Sequence, residues 1–215
     1  MRLSRFLSKP ADQVAPHLLG QTLWRRFPDG RLGRFLITEV EAYLGEADKA
    51  CHAHRGKTPR NAVMYGPPGF WYVYLIYGMY WMLNLVVAPE NDPQAVLFRG
   101  LKFLGWEPTL ADVDWIDNAD GGSLDNLDVI DVSRIHDAEA GSVNQKELKN
   151  LDGPGKLTRA LMIDKSLNGQ LASLTSGLWL EVDLTKPTPS FEKLPRIGID
   201  YAGEWKDKPL RFRLV

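Results

Sequence analysis

The 215-residue chain predicts a single-domain α+β fold: a curved, mainly antiparallel β-sheet with peripheral helices and a protruding aromatic β-hairpin. Three observations carry this. The length fits one domain with a full hydrophobic core. Short β-type runs dominate without a regular βαβ alternation. The run Phe70–Trp81 (FWYVYLIYGMYW) reads as two strands folded about a Tyr77-Gly78 corner, with Met79 just beyond it.

The elements come in this order. Pro10 near its start and Gly20 at its end bracket a helix over Ala11–Leu19. Two β-rich stretches, Gln21–Phe27 and Arg31–Tyr43, flank the turn Pro28-Asp29-Gly30. Strict alternation puts Phe35, Ile37, Glu39 and Glu41 on one face of the second strand, and Leu36, Thr38, Val40 and Ala42 on the other. Leu44–Asn61 is polar and glycine-punctuated, a structured loop. After the hairpin, Asn91-Asp92-Pro93 turns the chain into a strand over Ala95–Lys102. Asp112–Asp152 reads as an acidic, loop-rich insert within the domain, carrying one short helix. Leu157, Ala160 and Leu161 place a helix over Lys156–Ile163, and strands are expected near Leu178–Val182, Arg196–Asp200 and Pro209–Leu214.

Composition removes several function classes. No apolar run reaches membrane-spanning length, and the N-terminus lacks a signal-peptide core, so an intracellular protein (cytoplasm, nucleoid or nucleus) is expected. Cys51 is the sole cysteine, which rules out an intrachain disulfide and a cysteine-based zinc site. The net charge of −1 hides a marked asymmetry. Glu107–Asp152 holds twelve acidic residues against three basic ones and carries −9, leaving +8 on the remainder. A basic body can hold a polyanion on one face, with the acidic stretch turned away; two ordinary solvated faces explain the same numbers.

The aromatic hairpin is the strongest pointer to function. Phe70–Trp81 contains four of the chain's seven tyrosines, each with a hydroxyl to satisfy. Such clusters stack flat groups, nucleobases among them. A large tyrosine at a hairpin corner, where glycine or asparagine is usual, is otherwise hard to explain. Glu41 is the leading general-base candidate, because a carboxylate at the end of an apolar strand can be partly desolvated; the bland alternative is an exposed strand-end glutamate. Tyr43 points to the same side as Glu41 in an extended chain. Arg99 interrupts the apolar run Ala95–Phe98, where an arginine is costly unless paired or serving a site. Thr58 and Arg60, in Lys57-Thr58-Pro59-Arg60-Asn61, offer donors on a turn, as phosphate contacts require. His52 and His54 suggest a metal, but no third ligand lies at a recognisable spacing, and no metal or other cofactor is expected. Gly153-Pro154-Gly155-Lys156 opens a helix without the spacing of a nucleotide P-loop.

Thr38–Arg60 (TEVEAYLGEADKACHAHRGKTPR) and Tyr72–Asn84 (YVYLIYGMYWMLN) closely resemble the alkyladenine (3-methyladenine) DNA glycosylase family. The resemblance extends to Ala95–Arg99, Gly153–Leu157, Arg196–Phe212 and the Leu18–Gln21 entry to the sheet, and so covers most of the chain. The His52–Arg60 loop is one residue shorter than the family pattern, and Asp112–Asp152 has no counterpart in it.

The resemblance implies a monofunctional hydrolase acting, as a monomer, on double-stranded DNA with damaged purines in base excision repair. Glu41 corresponds to the base that activates water, Arg99 to an arginine holding that water, and the Ile197 carbonyl to another water ligand. Tyr43, Tyr74 and His52 correspond to partners of the extruded base, and Asn84 to the residue that crowds the exocyclic amino group of guanine. Tyr77 corresponds to the hairpin-tip residue that fills the gap in the duplex; Met79, Thr58 and Arg60 fall among the DNA contacts. A base in a duplex must be extruded before chemistry, and an aromatic wedge offsets part of the lost stacking. No lysine stands in these blocks as a nucleophile. A catalytically silent binder of damaged DNA is the competing reading, and a metal-dependent hydrolase built on His52 and His54 a third.

Overall fold

A computed structural model describes residues 3–107 and 145–215. After a short helix α1 (Leu3–Leu7), helix α2 (Ala11–Leu18) buries Ala11, Val14, Ala15 and Leu18 along one face. Gly20, in the left-handed region at φ 76°, turns the chain into the sheet. The following strands are β1 (Thr22–Arg26), β2 (Leu32–Tyr43), β3 (Trp71–Ile76), β4 (Tyr80–Val87), β5 (Gln94–Glu107) and β6 (Leu151–Asp152). Helix α3 (Pro154–Ala160) then precedes β7 (Leu178–Glu181), β8 (Phe191–Leu194) and β9 (Arg211–Leu214).

Among the described residues these strands form one nine-stranded sheet ordered β3-β4-β5-β2-β1-β7, with β6 on β5, β9 on β2 and β8 on β9. Every pairing is antiparallel. The two long strands β2 and β5 are its spine, and each changes partner along one edge. β2 pairs β1 over its first half and β9 through Glu39–Glu41. β5 pairs β4 at its start and β6 at Gly100 and Leu101.

Both changes occur where the β2–β5 register breaks. Ile37 opposes Leu101, Glu39 opposes Gly100, and Val40 opposes Phe98, so Thr38 and Arg99 are the inserted residues of two adjacent bulges. Bulges bend a sheet and re-aim side chains. There is no room for a side chain at Gly100, where a Cβ would lie 2.7 Å from Thr38 Oγ1.

These bulges overturn the strict alternation expected for β2. Phe35 and Ile37 face the main core, but so do Val40 and Ala42 beyond the bulge. Glu41 therefore does not share the face of Phe35 and Ile37; it turns with Glu39 and Tyr43 to the opposite side. The main core gathers these four residues with Val14, Leu18, Trp71, Leu83, Val96, Phe98 and Leu157 under α2 and α3.

Two further expectations change. Arg196–Asp200 is not a strand; it bends through Gly198 at φ 77°, and the strand is the less apolar Phe191–Leu194 before it. The strand after the Asn91–Pro93 turn runs to Glu107, beyond the expected Lys102. Residues 108–144, which include 112–144 of the acidic insert, lie outside the described residues, and residues 145–152 hold a single turn of 3₁₀ helix and β6.

Candidate active site

The hairpin β3–β4 stands on the sheet edge through a two-residue turn. Tyr77 (φ 51°) and Gly78 (φ 67°) both take the left-handed region, and Met79 N donates to Ile76 O at 3.0 Å. Glycine adopts this geometry freely, whereas a tyrosine pays a steric cost for it. The Tyr77 side chain is 84% exposed and Met79 67%, so neither is held there by packing.

At the base of the hairpin, on the sheet face opposite the main core, lies a cavity of about 400 Å³. Tyr72, Tyr74, Met82 and Asn84 of the hairpin, Leu97 and Arg99 of β5, and Tyr43 of β2 line it. His52 joins from the polar loop, and Ile197 and Tyr201 from the segment before β9. Its size and aromatic lining suit a flat heterocycle.

Glu41 is fully buried behind this cavity. Its Oε1 accepts from Ile197 N at 2.9 Å and pairs with Arg99 Nη1 at 3.3 Å; its Oε2 accepts from the Tyr43 hydroxyl at 2.8 Å. Burial pushes the Glu41 pKa above the ordinary carboxylate value; Arg99 and the two hydrogen bonds oppose this without cancelling it. A carboxylate has about four acceptor sites, so these three donors leave room for one more, such as a water.

Tyr43 is set from behind by Arg196, whose guanidinium carbon lies 4.6 Å from the ring centroid. Arg196 donates to Asp48 at 2.5 and 2.8 Å and to Ala42 O at 2.9 Å, with both side chains fully buried. Asp48 also accepts from Leu44 N and Ala50 N at 3.1 and 3.0 Å. This pair ties the His52 loop to the segment that delivers the Ile197 amide.

The other wall is an aromatic group. The His52 and Tyr74 ring centroids are 4.4 Å apart, Tyr72 and Tyr74 5.2 Å, and His52 Nδ1 shares a hydrogen bond with the Tyr72 hydroxyl at 2.8 Å. His52 keeps an exposed edge, yet crowding by its neighbours and the Arg60 charge push its pKa down to about 4. Even the ordinary value near 6.5 leaves the ring mostly neutral at pH 7, so the exposed edge does not change this conclusion. Asn84 is buried, its amide nitrogen donating to Tyr72 O and Met82 O at 3.1 and 3.4 Å.

A family profile described as Methylpurine-DNA glycosylase (MPG) matches residues 5–215. The chain belongs to the methylpurine-DNA glycosylase family. It is 39% identical over 213 residues to the putative 3-methyladenine DNA glycosylase of Psychrobacter cryohalolentis, covering 96% of this chain and 88% of that one. It is 36% identical over 209 residues to the DNA-3-methyladenine glycosylase of Homo sapiens, covering 96% of this chain and 63% of the human one. The mouse enzyme of that name is 40% identical over 210 residues, covering 96% and 57%. Membership makes this methylpurine-DNA glycosylase homologue a hydrolytic enzyme of DNA repair.

Of the site residues expected from sequence, Glu41, Tyr43, His52, Tyr74, Asn84, Arg99, Ile197 and Tyr77 meet around this one cavity. Ile197 meets Glu41 through its amide. Thr58 and Arg60 stand outside. The Thr58 amide and hydroxyl pair with Asn61, and Arg60 lies 5.4 Å from the Tyr74 ring while donating to Leu75 O at 3.3 Å. Sequence reasoning missed Tyr72, although its two-residue spacing from Tyr74 could have revealed it. It also missed Tyr201, Met82, and the Asp48–Arg196 pair, whose partners are too far apart in sequence to be matched by spacing. Among the described residues no three of His, Cys, Asp and Glu gather as a metal site, and no helix is long and apolar enough to cross a membrane.

Proposed function

We propose that this glycosylase homologue extrudes an alkylated or deaminated purine from double-stranded DNA and hydrolyses its N-glycosidic bond with water activated by Glu41. The observation that carries the reading is the placement of a fully buried, pKa-raised carboxylate behind an aromatic cavity. A base must be unprotonated at working pH yet basic enough to take a proton, and a raised carboxylate pKa serves both needs.

The extruded purine enters between Tyr43 on one side and His52 with Tyr74 on the other. Each stacked base gains roughly 1–3 kcal/mol on such faces, and an N-alkylated, cationic base gains cation–π attraction of roughly 0.5–2 kcal/mol in addition. Neutral His52 can accept or donate along the base edge without repelling a cation. Asn84 crowds the exocyclic amino group that distinguishes guanine. Tyr77, held out by its turn, fills the space vacated in the duplex.

In the chemical step, water oxygen bonds to the deoxyribose anomeric carbon, its proton passes to Glu41, and the C–N bond breaks with its electron pair leaving on the purine. Arg99 steadies the Glu41 charge and the attacking water. A cationic purine leaves readily, so one carboxylate suffices where O-glycoside hydrolysis uses two. With no lysine among the described residues that line the cavity, the product is an abasic site and an intact strand.

Duplexes carrying a single hypoxanthine or 7-methylguanine test this, with abasic sites scored after alkali in EDTA. The reading requires release by wild type and its loss in Glu41→Gln with DNA binding retained. Tight binding by both proteins without release of either base identifies a silent damage-binder instead.

A further inference from the structure

Glu41 belongs to a closed ring of contacts that runs through two residues outside the cavity, Glu39 and Arg211. Arg99 holds Glu41 Oε1 through Nη1 at 3.3 Å and Glu39 Oε1 through Nε at 3.2 Å. Arg211 Nη1 reaches that same Glu39 oxygen at 3.1 Å, and Arg211 Nε donates to Pro195 O at 2.8 Å. Two residues along the chain, Ile197 N donates back to Glu41 Oε1 at 2.9 Å. The ring joins β2, β5, β9 and the segment before β9. Its three outer side chains, Glu39, Arg99 and Arg211, are only 11–16% exposed.

A guanidinium held at one point can swing about that contact, but one held at Nε and Nη1 by two carboxylates is fixed in plane and tilt. Arg99 sits at a bulge, without a partner on β2 although its carbonyl accepts from Gly153 N at 2.7 Å, so Glu39 supplies a side-chain restraint that the β2–β5 ladder does not. Arg211 does the same for Pro195–Ile197, which no strand holds. Two arginines against two glutamates leave the ring without net charge. Among the described residues, charges near Glu39 also include Arg213, opposite it on β9 and paired to Glu192, and Asp152 of β6 across Gly100.

We infer that Glu39 and Arg211 are positioning residues of the reaction, orienting Arg99 and the Ile197 amide on Glu41 through this ring. The inference rests on the reading of Glu41 as the general base. Neither residue lines the aromatic cavity, so the effect falls on the chemical step and spares DNA binding. Because the ring is closed, opening it once removes most of its restraint, and a second opening adds little.

The test is single-turnover release of 7-methylguanine from a duplex, with affinity for a duplex containing a tetrahydrofuran abasic analogue measured alongside. Wild type, Glu41→Gln, Glu39→Gln, Arg211→Gln, Glu39→Gln/Arg211→Gln and Glu39→Asp are compared. Misplacement of reacting groups by a fraction of an ångström to one ångström costs about 10–100-fold in rate. Each single variant is expected to lose that much with affinity within about threefold of wild type. The double variant is expected to be no slower than the slower single one, and Glu39→Asp to recover part of the rate. Wild-type rates in both singles, equal losses of rate and affinity, or multiplying effects in the double each overturn the inference. If those occur while Glu41→Gln is inactive, the ring alone fails. Retained excision by Glu41→Gln overturns the general-base reading and the ring with it.

Discussion

The Tyr43 hydroxyl donates to Glu41 Oε2 at 2.8 Å, two residues away on the same strand. One residue is thus both a wall of the cavity and a donor to the buried carboxylate. The Thr38 and Arg99 bulges make this possible, because they turn Glu41 and Tyr43 together away from the core.

Tyr43→Phe keeps the ring and removes the donor. The hydroxyl holds the Glu41 pKa down, so its loss raises that pKa further. The acid limb of the excision rate is expected to move to higher pH, with little change in lesion affinity. Tyr43→Ala removes the stacking face and is expected to weaken lesion binding by about 1–3 kcal/mol, read as the dissociation constant of a slowly processed lesion duplex.

Breaking the buried Asp48–Arg196 pair should be costly for the fold. Asp48→Ala leaves a buried guanidinium unpaired and Leu44 N and Ala50 N without an acceptor. A loss of about 3–5 kcal/mol is expected, measurable as a fall in chemical-denaturation stability. An unchanged midpoint contradicts the assignment of Arg196 as a structural cation behind Tyr43.

Tyr77 separates stability from function. Its exposed ring at φ 51° contributes no packing to the fold and carries left-handed strain of roughly 1–2 kcal/mol. Tyr77→Gly is therefore expected to hold or raise Tm, while excision from duplex DNA falls about 10-fold or more from the lost wedge. A parallel fall in Tm contradicts this account.

Much of this is legible in the sequence, and the exceptions share a cause. The α2 helix, the β1–β2 hairpin and the aromatic hairpin are local, set by turn residues and periodicity. The strand end picks out Glu41 but not its face, because nothing in Leu36–Ala42 announces a bulge; Thr38 and Arg99 act only when the two strands pair. Arg196–Asp200 alternates apolar and polar residues like a strand, yet Arg196 is drawn inward by Asp48 and Ile197 by Glu41, both contacts long-range. The Glu39–Arg211 contact likewise spans most of the chain.

Glu41 also leaves a mark on stability. Its folded pKa lies above the unfolded one, so the folded state binds the proton more tightly. Its favourable contribution is fully present below the unfolded pKa and is lost as pH rises through the folded pKa. Glu41→Gln cannot titrate, so its Tm relative to wild type is expected to increase as pH is raised from about 4 to about 7. A difference that is flat over this range contradicts the raised pKa.

The most direct measurement is the pH profile of single-turnover excision of 7-methylguanine by wild type and Glu41→Gln. This base is already cationic, so leaving-group protonation does not enter. The account predicts a wild-type rate that rises through one ionisation above the ordinary carboxylate range and then levels, with Glu41→Gln slower by about 10²–10⁴-fold and lacking that ionisation. A wild-type rate independent of pH, or a glutamine variant that excises at the wild-type rate, would contradict it.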